Sequence, residues 1–191
     1  MIYFIPAWYA ENEWKEKEQR WYKRRMRTEF DDTVKQVQLF YRTGTYPCHM
    51  LLLNHAPNFR HFLHRQGIFH APYWSCFDAI QEVEKKKTMT LSYRNLKWPE
   101  DTEFVYSQYA VIAMRNNKRF AKIEFAEDGN PIEIDMYKKG ELYRSNYYDD
   151  RGFISRTCIY SNEKPVYEEY LRPDGVWKLR VFLTDGHVEI N

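Results

Sequence analysis

From Asn116 onward the chain is punctuated at an almost constant interval, and few folds tolerate that. Turn-forming pairs fall at Asn116-Asn117, Asp128-Gly129, Lys139-Gly140, Arg151-Gly152, Asn162-Glu163, Asp174-Gly175 and Asp185-Gly186, each 11 or 12 residues after the last. Gly, Asn and Asp adopt the left-handed backbone that tight hairpins need, so each pair can reverse a strand of roughly eight residues. Seven reversals connect about eight strands. Between the turns the sequence alternates: Ala121, Ile123 and Phe125 fall on one side, as do Ile132, Ile134 and Met136, and Trp177, Leu179, Val181 and Leu183. Lys122 and Glu124, Glu133 and Asp135, and Lys178 and Arg180 fall on the other. This predicts an antiparallel β-meander with one apolar and one mixed side. A solenoid or propeller would also space its turns evenly, but no motif repeats beyond the turns themselves.

The preceding part has a different rhythm. Ile2 to Tyr9 reads as a buried strand, and Trp14, Trp21, Tyr22 and Met26 recur at helical spacing in a charged segment. Asp31 and Asp32 stand at the favourable end of a second helix with apolar positions Phe30, Val34, Val37 and Tyr41, closed by Gly44. Cys48 to Leu53 reads as a strand buried on both faces, as in a parallel sheet. Pro57 then opens a short helix presenting Phe59, Phe62 and Leu63, which Gly67 closes. Strand, helix, strand, helix is the start of a doubly wound, Rossmann-like sheet, and two strands cannot complete one. The missing strands are expected beyond Asn191. Charge divides the chain at the same place: residues 1–98 carry 16 basic and 10 acidic groups, residues 99–191 carry 13 and 17. The expected fold class is therefore α/β plus all-β, with a partial Rossmann-like segment over 1–98 and the meander over 99–191.

Composition narrows the setting. The chain has 191 residues, long enough for a core without staples, and its 34 aromatic side chains outnumber its 31 Ile, Leu and Val, so much of the buried surface must be ring faces. Three scattered cysteines, Cys48, Cys76 and Cys158, argue against a disulfide framework and for a reducing, cytoplasmic setting. The apolar run from Met1 to Ala10 has no preceding basic residue and is interrupted by Pro6, so it reads neither as an export signal nor as a membrane span.

Enzyme signatures are weak. Pro6-Ala7-Trp8-Tyr9-Ala10-Glu11 follows the first strand without the glycines a phosphate cradle needs, so no bound cofactor is expected. His49, His55, His61, His64 and His70, even with Cys48 and Cys76, lack metal-ligand spacing, and no metal site is expected. Cys48 and Cys158 sit in predicted strands, where thiols are usually small buried hydrophobes. Asp31-Asp32 and Asp149-Asp150 fit capping and turns better than an acid and base pair. The runs Lys23-Arg24-Arg25-Met26-Arg27 and Lys85-Lys86-Lys87 are diluted by glutamates and read as solvated faces rather than nucleic-acid contacts.

More informative is the tyrosine density between Met136 and Arg172: Tyr137, Tyr143, Tyr147, Tyr148, Tyr160, Tyr167 and Tyr170. Alternation spreads these over both faces. Exposed rings would suit stacking on sugars or contact with extended polypeptide, while cross-strand pairing that only stiffens the sheet explains them equally well. Tyr147, Tyr148, Arg151, Tyr160, Tyr167 and Tyr170 are the candidate substrate- or partner-binding residues, and no residue is assigned a catalytic role.

Five segments in order carry a family resemblance: Tyr3-Phe4-Ile5-Pro6-Ala7-Trp8-Tyr9, Phe30-Asp31-Asp32-Thr33, Phe77-Asp78-Ala79-Ile80-Gln81, Leu96-Lys97-Trp98-Pro99 and Tyr148-Asp149-Asp150-Arg151-Gly152-Phe153. Together they resemble the first accessory Sec system protein of Gram-positive bacteria. The resemblance implies the N-terminal part of a glycosyltransferase-like, GT-B-type fold with a β-meander inserted in its first Rossmann-like domain, and no transferase activity. It also implies partners: other accessory Sec proteins, one of them acetyltransferase-like, a dedicated SecA ATPase, and a glycosylated serine-rich repeat adhesin bound for export. The expected role is a noncatalytic adaptor in the cytoplasm, reaching the inner face of the membrane through the translocase. An active GT-B glycosyltransferase or its stabilising subunit, and a purely structural assembly protein, are the alternatives. Recognition of an extended substrate at a sheet edge is a second possible mode of binding.

Overall fold

A computed structural model describes residues 1–6, 32–44, 47–84, 87–108, 110–126 and 129–191. The helix read from Trp14 to Met26, the run from Lys23 to Arg27 and the segment from Ala7 to Glu11 lie outside the described residues.

Three parallel strands, β1 (Ile2–Phe4), β2 (Cys48–Leu52) and β3 (Tyr73–Ser75), form a sheet in the order β1-β2-β3. Helix α1 (Asp32–Thr43) connects β1 to β2, and α2 (Phe59–Arg65) connects β2 to β3. α3 (Cys76–Ile80) follows β3 directly, its first turn capped by the Ser75 hydroxyl, which accepts from the Asp78 amide at 3.2 Å. β3 carries no signal in the sequence. Tyr73-Trp74-Ser75 is too short to show a period, and its strand character comes from pairing Met50 to Tyr73 and Leu52 to Ser75.

One face of this sheet is closed. Val34 and Val37 of α1, Met50 and Leu52 of β2, Phe59 and Leu63 of α2, and Ile68 form a buried cluster. Tyr41, expected on the apolar side of α1, is 37% exposed; the stripe turns instead through Phe40, whose ring lies 5.7 Å from that of Phe4. Burial of β2 on both faces holds for one face only: Cys48, Met50 and Leu52 are buried, His49 and Leu51 half-buried, and Leu53, beyond the strand, exposed. α2 ends as its glycine predicts, with the Gly67 amide donating to the His64 carbonyl and the Ile68 amide to the Leu63 carbonyl.

The second sheet is a continuous antiparallel meander of nine strands: β4 (Glu103–Tyr106), β5 (Ala110–Arg115), β6 (Lys118–Phe125), β7 (Pro131–Lys138), β8 (Glu141–Tyr148), β9 (Ile154–Ser161), β10 (Lys164–Leu171), β11 (Trp177–Phe182) and β12 (Val188–Ile190), each beside the next in sequence. All seven expected reversals occur, with Asp128 itself outside the described residues. The additional strand comes from a reversal between β4 and β5 that contains no glycine. There the Ser107 hydroxyl accepts from the Ala110 amide and donates to its carbonyl.

The expected apolar side holds for β5 to β7, where Val111, Ala113, Ala121, Ile123 and Ile134 form a cluster with Tyr148, but across β8 to β11 the same side continues as Asn146, Thr157, Glu169 and Arg180. Leu91, Leu96 and Trp98 pack on this cluster and Tyr93 belongs to it, so part of the chain on the α/β side of the 98/99 division lies over the sheet. The other side carries a cross-strand row of Ala110, Glu124, Glu133, Tyr147, Arg156, Tyr170 and Leu179. Glu124 is 1% exposed and Glu133 7%, so the mixed side is sunk rather than solvated. The grouping of Trp177 with Leu179 and Val181 does not hold. A register shift at Tyr170/Leu171 sets Trp177 opposite Leu171, with the Arg180 guanidinium 4.5 Å from its ring.

The turn between β8 and β9 meets the parallel sheet. Gly152 there has φ +85°, and a Cβ at this position would collide with the Met89 side chain. Gly140, at φ +90°, faces open space. Gly140→Ala should therefore cost only backbone strain, about 1–2 kcal/mol, and Gly152→Ala that strain plus the smaller cost of moving the flexible Met89 side chain aside. Chemical denaturation of both variants checks this, and equal losses would mean that the Met89 contact is unimportant.

Candidate functional site

In an open parallel sheet, functional groups collect outside the carboxyl ends of the strands. Here that position between β2 and β3 holds a cluster contributed by both sheets. The turn Asp149-Asp150-Arg151-Gly152 enters from the meander, and Arg151 spans the junction. Its Nε and one terminal nitrogen donate to the two Asp149 carboxylate oxygens at 2.6 and 2.7 Å. Its terminal nitrogens also donate to the two Asp78 oxygens, both at 2.8 Å. A planar guanidinium is thus held by two carboxylates, one from its own turn and one from the first turn of α3. Asp149 also accepts from the Arg151 amide at 2.9 Å.

Asp150 looks the other way. Its carboxylate accepts from the His61 amide at 2.9 Å, its amide donates to the Pro57 carbonyl, and its carbonyl accepts from the Met89 amide. A second buried contact lies deeper. The Gln81 amide nitrogen donates to the Ser155 and Leu171 carbonyls at 2.7 and 2.6 Å, and the Ser155 hydroxyl lies 2.7 Å from His55 Nε2. His55 also meets the rings of Phe77 and Tyr170 edge-on, with centroids 5.5 and 5.1 Å away. Gln81, Ser155 and His55 are all at most 8% exposed.

The charges fit this geometry. Burial works against the Arg151 cation, but its bonds to Asp149 and Asp78 win and raise it above the ordinary arginine range. Burial pushes Asp149 upward against the pull of Arg151. Asp150 is pushed up to about 8, first by burial and then by the neighbouring charge of Asp149, against the His61 amide and the cations of Arg151 and Arg60. Burial also raises Tyr73 at the floor of the cluster.

The six residues singled out from sequence are dispersed. Tyr147 and Tyr170 share the sunk row with Arg156 between them, the Arg156 guanidinium lying 4.0 Å from the Tyr147 ring. Tyr160 stands on the same face, two residues beyond Cys158, and is half-buried. Tyr167 is on the opposite face, opposite Phe182, with the Arg180 guanidinium 5.2 Å from its ring. Tyr148 is 7% exposed inside the apolar cluster, where burial pushes its hydroxyl up to about 12. Tyr170 is 8% exposed, donates to Glu168 at 3.0 Å and is raised by burial, as are Tyr147 and Tyr160. Arg151 belongs to the junction. Asp78, Gln81, His55 and Ser155 carry no signal of their own in the sequence, although Asp78 and Gln81 belong to one of the motifs quoted for the resemblance and Arg151 sits in another. Among the described residues no group of His, Cys, Asp and Glu is placed to hold a metal, and no helix is long and apolar enough to cross a membrane.

A partial parallel α/β sheet joined to a long antiparallel meander is a glycosyltransferase-like arrangement. The solved GtfA/B complex bound to UDP and GlcNAc aligns with 85% of this chain and 35% of that one at a TM-score of 0.63, and at 14% identity this likeness speaks to the fold alone. The family model described as the first accessory Sec system protein matches residues 1–191, and the chain belongs to that family. It is 37% identical over its whole length to the family member of Streptococcus gordonii, of which it spans 37%. It superposes with a TM-score of 0.90 on the crystal structure of accessory secretory protein 1, 2 and 3 from Streptococcus pneumoniae, at 35% identity, covering all of this chain and 39% of that one.

The Asp150 carboxyl gives this junction a pH signature. Unfolded, an aspartate releases its proton near about 4; folded, Asp150 keeps it to about 8. The native state thus binds the extra proton across that window, and stability is lost as pH rises through it. Asp150→Asn removes the titration while keeping an oxygen for the His61 amide. Its melting temperature should fall less than that of the parent between about pH 5 and 8, and parallel profiles in a thermal-shift series would contradict the assignment.

Proposed function

We propose that this chain is part of a noncatalytic component of the accessory Sec system, one that binds glycosylated serine-rich repeat adhesin, partner accessory Sec proteins, or both, and supports adhesin export. The observation that carries the reading is likeness, over the whole of this chain and 39% of the solved one, to a protein solved together with accessory secretory proteins 2 and 3. An acetyltransferase-like accessory protein and a dedicated SecA ATPase are the further partners of this proposal. The place of work is the cytoplasm, at the inner face of the membrane through the translocase, without a cofactor.

The meander supplies the docking surface. Of the six tyrosine and arginine positions, Tyr160 and Tyr167 offer half-buried rings to a ligand, one on each face. Tyr147, Tyr148, Tyr170 and Arg151 serve the surface by fixing the strands and the junction beneath it. The second reading is a transferase or its substrate-binding subunit, since the GtfA/B complex shares this fold.

The discriminating experiment compares glycosylated and unmodified repeat peptide on the full-length protein by calorimetry or interferometry. The adaptor reading expects tighter binding of the glycosylated peptide and a loss of about tenfold in Tyr160→Ala/Tyr167→Ala, an ordinary cost for truncating contact aromatics. Turnover of a nucleotide-sugar by the full-length protein would replace the adaptor reading with the transferase one. Loss of accessory-protein binding with unchanged peptide binding would make the meander an assembly surface only.

A further inference from the structure

The carboxyl-end crevice between β2 and β3 is already filled. Leu52 and Ser75, Phe59 and Tyr73, and the Arg151 side chain close around a residual cavity of about 10 Å³, room for a single water. What fills it is presented as a ligand would be. The Arg151 guanidinium enters from a different sheet, is 5% exposed as a residue, and makes paired hydrogen bonds to two carboxylates that face it from either side. Backbone bonds from Asp150 to Pro57 and from Met89 to Asp150 seat the turn around it.

We propose that the Asp149–Gly152 turn acts as the resident ligand of this crevice, an arginine latch that fastens the nine-stranded sheet to the α/β unit and excludes any other occupant between β2 and β3. Two consequences follow from the geometry. A solute entering the crevice must expel the turn, so crevice occupancy and sheet attachment oppose each other by the same free energy in either direction. Emptying the position without moving its walls leaves a pocket lined by Asp78 and Asp149, whose shape and charge select an alkylguanidinium ion. The Gln81 and His55 contacts to Ser155 and Leu171 keep the two sheets together while the latch is open, so opening it is a local event.

The test uses the full-length protein. Arg151→Ala should lower the melting temperature by more than about 5 °C, and ethylguanidinium at about 20 mM should restore several degrees of that loss while leaving the parent and Arg151→Ala/Asp78→Asn unchanged or slightly lower. Should Arg151→Ala fail to fold, the milder Asp78→Asn variant decides by hydrogen exchange. The amides of His61, Met89 and Asp150, whose bonds cross the junction, should exchange at least about tenfold faster, with those of β5 to β7 unaffected. Unaltered exchange at the three junction amides in Asp78→Asn would overturn the latch. So would an equal response of parent and Arg151→Ala to ethylguanidinium.

Discussion

A single guanidinium shared by Asp149 and Asp78 decides how this molecule is put together. Neither sheet could leave those groups unpaired: Asp149 is 4% exposed and Arg151 5%, and an uncompensated charge at that depth costs several kcal/mol. The pairing is therefore less a source of net stability than a condition on geometry, since the turn between β8 and β9 must meet the first turn of α3 wherever else the meander goes. Gly152 lets the turn close against Met89, and Ser75 caps α3 so that Asp78 faces the junction.

Much of this was legible from residue order. The turns fixed the meander because a positive backbone φ is a local requirement: Asn116, Asn117, Lys139, Asn162 and Glu163 all adopt it. α2 was legible from Pro57, its apolar spacing and Gly67. What escaped was whatever depends on pairing rather than pattern. β3 is three residues long and has no period to read. The register shift at Tyr170/Leu171 moved Trp177 to the other face, which alternation alone cannot foresee. The reversal after β4 is made by a serine hydroxyl instead of a glycine.

The functional residues divide along the same line. Tyrosine density marks the meander, but density does not say which rings are free. A guanidinium already lies over Tyr147, whereas Tyr148 and Tyr170 are structural, which leaves the half-buried rings of Tyr160 and Tyr167. The junction was present in the sequence in another form. The segments Phe77 to Gln81 and Tyr148 to Phe153, which carried part of the family resemblance, are 73 positions apart at Asp78 and Arg151 and meet there. Motifs that look unrelated along the chain were two halves of one contact, and only a through-space distance could show it.

Membership of the first accessory Sec system protein family and a glycosyltransferase-like fold set the frame for function; the latch says how the frame is held. A double-mutant cycle on Asp78 and Arg151, each replaced by Ala alone and together in the full-length protein and followed by denaturant unfolding, addresses that claim directly. The account predicts strong non-additivity, a coupling of about 1.5 kcal/mol or more. Additive losses would mean that this arginine does not couple the two sheets.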